Sequence, residues 1–136
     1  MSDLMKMSLT NHHVVAGPGV PPALGPYSPA VKVGNLVFVS AQSGVDPHTG
    51  RLPDGGFEQE CRQAFDNVAK VLEAAGAHLG QVAKVTVLYA HREHLAIINA
   101  VYAAYFPVDP PARTTAMVQL AADRSIAVDA IAVISG

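Results

Sequence analysis

The sequence predicts an α+β fold, a mixed β-sheet of five to six strands with two helices on one face. Three observations carry that expectation. Two long segments repeat apolar residues at three- and four-residue steps, as helices with one buried stripe do. Five or six shorter segments rich in Val, Ile and Thr are bounded by Gly and Pro, which marks strands. The composition, 50% hydrophobic and 15% charged over 136 residues, supplies core material for one domain spanning 1–136.

Residues 1–6 read as a loose tail, and Met7 could serve as an alternative start. His12 to Val15 reads as a short strand. Residues 16–30, AGPGVPPALGPYSPA, hold five prolines and three glycines. Such a stretch neither joins a helix nor supplies strand donors, and too little chain precedes it to form a second unit, so it is an ordered loop. Within it Tyr27 reads, from the residues alone, as a cap on the edge of the core. Ala30 to Val33 and Leu36 to Gln42 flank Gly34 and Asn35 as a tight hairpin. In its second strand Leu36, Phe38 and Ser40 share one face, and Val37, Val39 and Ala41 share the other. Residues 45–56, VDPHTGRLPDGG, are turn-rich loop.

Phe57 to Ala75 is the clearest helix, with Phe57, Cys61, Ala64, Phe65, Val68 and Leu72 on one stripe and Gly76 placed to end it. Cys61 falls on that stripe and reads as a small core residue. Val82 to Tyr89 is a strand with Val85 and Val87 opposing Lys84, Thr86 and Leu88. The second helix lies within 91–106, its inner stripe Leu95, Ile98, Tyr102 and Phe106. PPARTTAMV, 110–118, is a strand entered through a fixed proline turn. Ile126 to Ile134 is the last. Both it and the segment LVFV are apolar on two faces, whereas two helices cover one side of a sheet. The other side calls for a further copy of the chain.

The net charge of −2, the pI near 6.3 and nine scattered Lys and Arg argue against a nucleic-acid surface. One cysteine forms no intrachain disulfide, which fits a reducing cytoplasm. No signal-like segment and no run of about 18 apolar residues suggests a membrane. His91 and His94 share a helical spacing without a third ligand and read as a solvent-facing pair, not a metal site. Ser28 and Ser40 lack a G-x-S-x-G setting. No metal and no organic cofactor is expected.

Two polar residues remain. Arg113 is a permanent cation whose one acidic neighbour in the preceding ten residues is Asp109, beyond the prolines. Either its stem packs on the sheet with the head in water, or the head waits for an anionic ligand. Asn99 sits one step from the inner stripe of the second helix, where it is either a surface amide or a buried one in need of partners.

Five segments carry a resemblance: GPYSPAVKVGNLVFVSAQSGVDPHTG (25–50), KVLEAAGAHLGQVAKVTVL (70–88), INAVYAAYF (98–106), PPARTTA (110–116) and AIAV (130–133). In order, and from about Gly25 to the C-terminus, they resemble the RidA family, the YjgF-type reactive-intermediate deaminases also called L-PSP endoribonucleases. The resemblance implies a chorismate-mutase-like homotrimer with ligand sites between subunits. It also implies hydrolytic deamination of small 2-imino or 2-enamino acids to 2-keto acids and ammonia. Carried over by position, Arg113 would hold the substrate carboxylate and Tyr27 would lie over the ligand. Ser40 would contact it, with Ala41 where the family has glycine, and Asn99 would wall the pocket. The attacking water would sit beside Thr115, where family deaminases often carry cysteine. The family glutamate that orients this water is replaced by Ala127. Asp129, two residues along the same strand face and about 7 Å away, is the acid that could take its place. Alternatives are a non-catalytic small-carboxylate-binding trimer and an aminomuconate-type deaminase. The acidic balance disfavours an endoribonuclease.

Overall fold

The computed structural model describes residues 12–134. The tail expected over 1–6 and the alternative start at Met7 lie outside them. Six strands form one sheet: β1 (His12–Val15), β2 (Ala30–Val33), β3 (Leu36–Ser43), β4 (Val82–Tyr89), β5 (Ala112–Met117) and β6 (Ile126–Val133). Two helices connect them, α1 (Phe57–Ala74) between β3 and β4 and α2 (Leu95–Tyr105) between β4 and β5. Across the sheet the order is β1-β2-β3-β6-β4-β5, antiparallel throughout except for the parallel pair β4 and β5. Both helical crossovers step the same way along the sheet. Crossovers of one hand then place both helices on one face.

Local chemistry sets the ends of these elements. Gly34, at φ 58, takes the first central position of the β2–β3 hairpin, where a left-handed backbone matches the strand twist. Helix α1 ends in a Schellman motif: Gly76 at φ 82 donates to Glu73 O at 3.0 Å, and Ala77 donates to Leu72 O at 2.8 Å. The core lies between the helices and the sheet. Cys61, Phe65, Val68, Val71 and Leu72 of α1, with Ile98 and Val101 of α2, meet Val37, Val39, Val85, Val87, Ile126 and Val128. Phe65 presents its neighbours with an edge-on contact to Tyr102, ring centroids 5.8 Å apart.

The other sheet face is left without a helix. Phe38 there is 37% exposed and Val133 38%, and register sets Phe38 beside Ile131 and Leu36 beside Val133. The two-faced apolar pattern of β3 and β6 is therefore real.

One detail of the sequence reading is corrected. Ala41 does not share the face of Val37 and Val39. On β3 the pair Val39–Ala130 is followed by Gln42–Val128, so Ser40 and Ala41 together oppose one residue, Asp129. This bulge reverses the alternation: Ala41 is exposed and Gln42 turns inward.

Buried Glu60 of α1 ties the helix to the start of β6, its Oε2 accepting from the Ser125 N–H at 2.7 Å. Glycine is required opposite it, since a Cβ on Gly44 would collide with the Glu60 carbonyl oxygen and come within 2.6 Å of its Cγ. Burial raises the Glu60 carboxyl above its usual 4.5, with nearby Asp123 adding to the effect and the Ser125 N–H and His94 opposing it. The folded chain thus binds this proton more tightly than the unfolded chain. Stability is lost as pH climbs from 4.5 through the folded-state value. Glu60→Gln keeps an acceptor for Ser125 without the charge. It should melt higher than the parent at pH 7, and the gain should shrink as the pH is lowered toward 4.5 in a series of thermal melts.

Candidate functional site

Strand β5 is a sheet edge, and its register with β4 pairs Arg113 with buried Val85, which directs Arg113 to the helical face. There α2 receives it. Arg113 Nη2 donates to Asn99 Oδ1 at 2.9 Å, and the guanidinium carbon stands 4.7 Å from the centroid of the Tyr102 ring. Among the described residues the one ion pair is Arg62 with Glu58, at 3.3 Å, so none of their carboxylates neutralises Arg113. A neutral amide and an aromatic face fix the fork while leaving its charge and most of its donors free. Thr115 follows two residues along the same strand face, paired with Val87. Sequence reasoning missed Tyr102 by assigning it to the core. Its spacing of three from Asn99, which puts both on one helix face, was the available signal. Its ring is buried, and burial raises its hydroxyl while Arg113 counteracts part of the rise. That hydroxyl has no hydrogen-bond partner among the described residues.

A second cluster gathers on the far side of β6 and β4. Ser40 Oγ donates to Ser28 O at 2.7 Å, and its backbone N–H donates to Pro29 O at 2.9 Å. The serine thus clips the proline-rich loop to β3, and its hydroxyl proton is already committed. Tyr27 on that loop is 49% exposed, and its hydroxyl accepts from the Leu24 N–H at 3.3 Å. Ala41 is the exposed residue of the bulge, and Asp129 is the residue that faces the bulge. Ala127 pairs with Ser43, beyond the bulge.

The structure therefore sorts the expected residues into two groups. Arg113, Asn99 and Thr115 meet at β5 and α2; Tyr27, Ser40, Ala41 and Asp129 meet around the β3 bulge. Within one chain they do not converge, because three strand spacings, about 14 Å, separate β3 from β5. Arg124 was also missed. It reaches the second group from the turn before β6, its Nε donating to Ser43 Oγ at 3.3 Å.

The remaining candidates are bland. His91 is exposed as expected, but His94 is not solvent-facing: it stacks on Phe57 with centroids 3.7 Å apart and an interplanar angle of 8°. Among the described residues no three His, Cys, Asp or Glu side chains are grouped to hold a metal ion. No helix among them is long and apolar enough to cross a membrane.

An open mixed sheet with both helices on one face is the α+β architecture of the YjgF-type proteins. The chain belongs to the RidA group of the Endoribonuclease L-PSP family, which matches residues 19–134. It is 38% identical over 128 residues to the 2-iminobutanoate/2-iminopropanoate deaminase of Mus musculus, covering 93% of this chain and 95% of that one. It is also similar to the crystal structure of the YjgF gene product of E. coli, with TM-score 0.83, 37% identity, and coverage of 89% and 98% of the two chains. Similarity to E. coli TdcF with bound serine gives TM-score 0.85 at 33% identity, over 90% and 99% of the chains.

Cys61 is wholly buried, and burial, reinforced by Glu60, pushes its thiol up to about 12. The native protein should resist alkylation by iodoacetamide at pH 8 for hours and react within minutes once unfolded in guanidinium. Rapid native labelling, read by mass spectrometry, would contradict this placement.

Proposed function

We propose that the chain hydrolyses small 2-imino acids to 2-keto acids and ammonia. It does so as a homotrimer in which Arg113, Asn99 and Thr115 of one subunit face Tyr27, Ser40, Ala41 and Asp129 of the next. The observation that carries this reading is the Arg113 guanidinium, held by Asn99 and Tyr102 yet unneutralised among the described residues. A cation prepared in this way favours a planar anion, and a carboxylate meets the fork with two parallel hydrogen bonds. The helix-free apolar sheet face supports the assembly, since a second copy would bury it. The mouse relative's name supports the substrate class, and the serine bound to TdcF supports a ligand of this size bearing a carboxylate.

The chemistry asks little of the protein. Water adds its oxygen to the C=N carbon, and the nitrogen takes one proton. The resulting carbinolamine loses ammonia as the second proton transfers and the C=O forms. Arg113 fixes the carboxylate and so the orientation of the adjacent imine carbon. The Thr115 hydroxyl orients the water, and Asp129 accepts its proton and returns it to the leaving nitrogen. Positioning and charge complementarity supply most of the acceleration. Tyr27 covers the cleft, and Ala41, small and exposed on the bulge, leaves room for the substrate.

One specific feature favours a second reading, a carboxylate-binding trimer without turnover. Ala127 has no group to hold a water, and Asp129 has a shorter arm than glutamate. Endoribonuclease activity, though present in the family's description, finds no support in a chain of net charge −2 with scattered cations.

With 2-iminopropanoate generated from serine by a dehydratase, wild type should accelerate pyruvate release. Arg113→Ala should lower kcat/KM about a hundredfold, roughly the 3 kcal/mol that a charge-assisted pair supplies. No acceleration by wild type, with Arg113-dependent binding of 2-ketobutyrate retained, would select the second reading; Ala127→Glu should then create activity. A separate test concerns the shared cleft. Arg113→Ala and Asp129→Asn, each about a hundredfold impaired alone, should regain activity when unfolded and refolded together. A mixture as impaired as its parents would mean that the two groups do not form one site.

A further inference from the structure

A small cavity of 130 Å³ lies behind the bulge cluster, between the proline-rich loop, the end of β3 and the turn before β6. Tyr27 and Ala41 form its shared wall with the proposed cleft, and its other walls include Leu24, Gln42, Asn67, Arg124 and prolines. At about 30 Å³ per water it has the room of roughly four waters, which suits a short side chain of a few heavy atoms. Arg124 is its one charged wall. The residue is half-buried, its Nε is spent on Ser43 Oγ at 3.3 Å, and no carboxylate among the described residues lies within ion-pairing distance. Two acids beside this turn do not discharge it: Asp123 forms no ion pair among the described residues, and the Glu60 carboxylate accepts from the Ser125 N–H at 2.7 Å. A guanidinium does not lose its charge on burial, and the neutral walls, part apolar and part amide and hydroxyl, do not cancel it. The turn that delivers Arg124 also holds Ala122 at φ 55, a left-handed backbone uncommon for a non-glycine residue.

We infer that this cavity is a side-chain subsite for a second carboxylate, with Arg124 as its cation, so that the preferred substrates are 2-imino acids ending in a carboxylate. The inference rests on the proposed function, since it extends that cleft by the wall formed by Tyr27 and Ala41. A monocarboxylate engages Arg113 and leaves Arg124 uncompensated; the imine of an acidic amino acid engages both. The apolar prolines and Leu24 take the intervening methylene groups. The reaction itself is unchanged: the C=N bond is hydrolysed, ammonia departs, and the distal carboxylate stays intact.

The test compares two imines generated in situ by amino-acid oxidases with catalase, one from glutamate and one from alanine, following 2-keto-acid release. Wild type should favour the glutamate-derived imine in kcat/KM by about tenfold or more. Arg124→Gln should collapse that ratio, chiefly through KM for the dicarboxylate, and Arg124→Lys, which keeps the charge, should retain part of it. Equal rates for the two imines in wild type, or a ratio untouched by Arg124→Gln, would overturn the subsite. Calorimetric titration separates this from failure of the deaminase reading. If neither imine is turned over, 2-oxoglutarate should still bind about tenfold tighter than 2-oxobutanoate, with the difference lost in Arg124→Gln. Binding without that difference overturns the subsite as well.

Discussion

An edge-strand guanidinium clasped by an amide and an aromatic ring, with its charge left over, is the constraint around which this molecule is arranged. Asn99 and Tyr102 are three residues apart on α2, and the short parallel crossover from β4 to β5 brings that helix face against Arg113. Neither partner takes the charge. An acid in place of Asn99 would have stabilised the isolated subunit more and left nothing for a ligand. The neutral acceptor forgoes some stability and leaves the guanidinium charge uncompensated by its two partners.

The one-sided sheet gives this arrangement its consequence. Both crossovers step in the same direction, so the helices pile onto one face and leave Phe38, Ile131, Leu36 and Val133 on the other. A monomer with that face in water would be a poor solution to the hydrophobic effect. Strand order also keeps Arg113 apart from the bulge cluster, with β6 and β4 between them. If the groups act together, they act across a subunit boundary, and the same apolar patterning that calls for assembly would also complete the chemistry. Stability and function would then share one interface.

Much of the fold was legible in the sequence because periodicity reports burial directly. The α1 stripe, the Gly34 turn, the strand over 82–89 and the α2 stripe each follow from residue spacing, and each sits where spacing put it. Arg113 was legible as a cation in search of a partner because the one acid in the ten residues before it, Asp109, lies beyond the prolines. What escaped was whatever depends on a defect or on a distant crossing. Nothing in LVFVSAQS announces an extra residue at Ser40 and Ala41, since a bulge is a property of two strands in register and not of one composition. Tyr102 fits a core stripe equally well with or without a cation over its ring. Arg124 reads as a loop residue until the β6 entrance folds it against Ser43, some eighty positions earlier in the chain.

The bulge also bears on the exchange of glutamate for alanine at 127. In a regular ladder, residues 127 and 129 would be equivalent neighbours on one face, each opposite a single residue of β3. Here the ladder breaks between Val39 and Gln42, so Asp129 stands against both Ser40 and Ala41 whereas Ala127 pairs with Ser43 farther along. Of the two positions, 129 is the one set opposite Ser40, the residue that clips the Tyr27 loop through Ser28. In the proposed cleft a carboxylate at 129 would start opposite Ala41 and one at 127 opposite Ser43, which would offset the methylene that aspartate lacks. In the proposed cleft the bulge, and not the side-chain length, then decides which of the two positions holds the working acid.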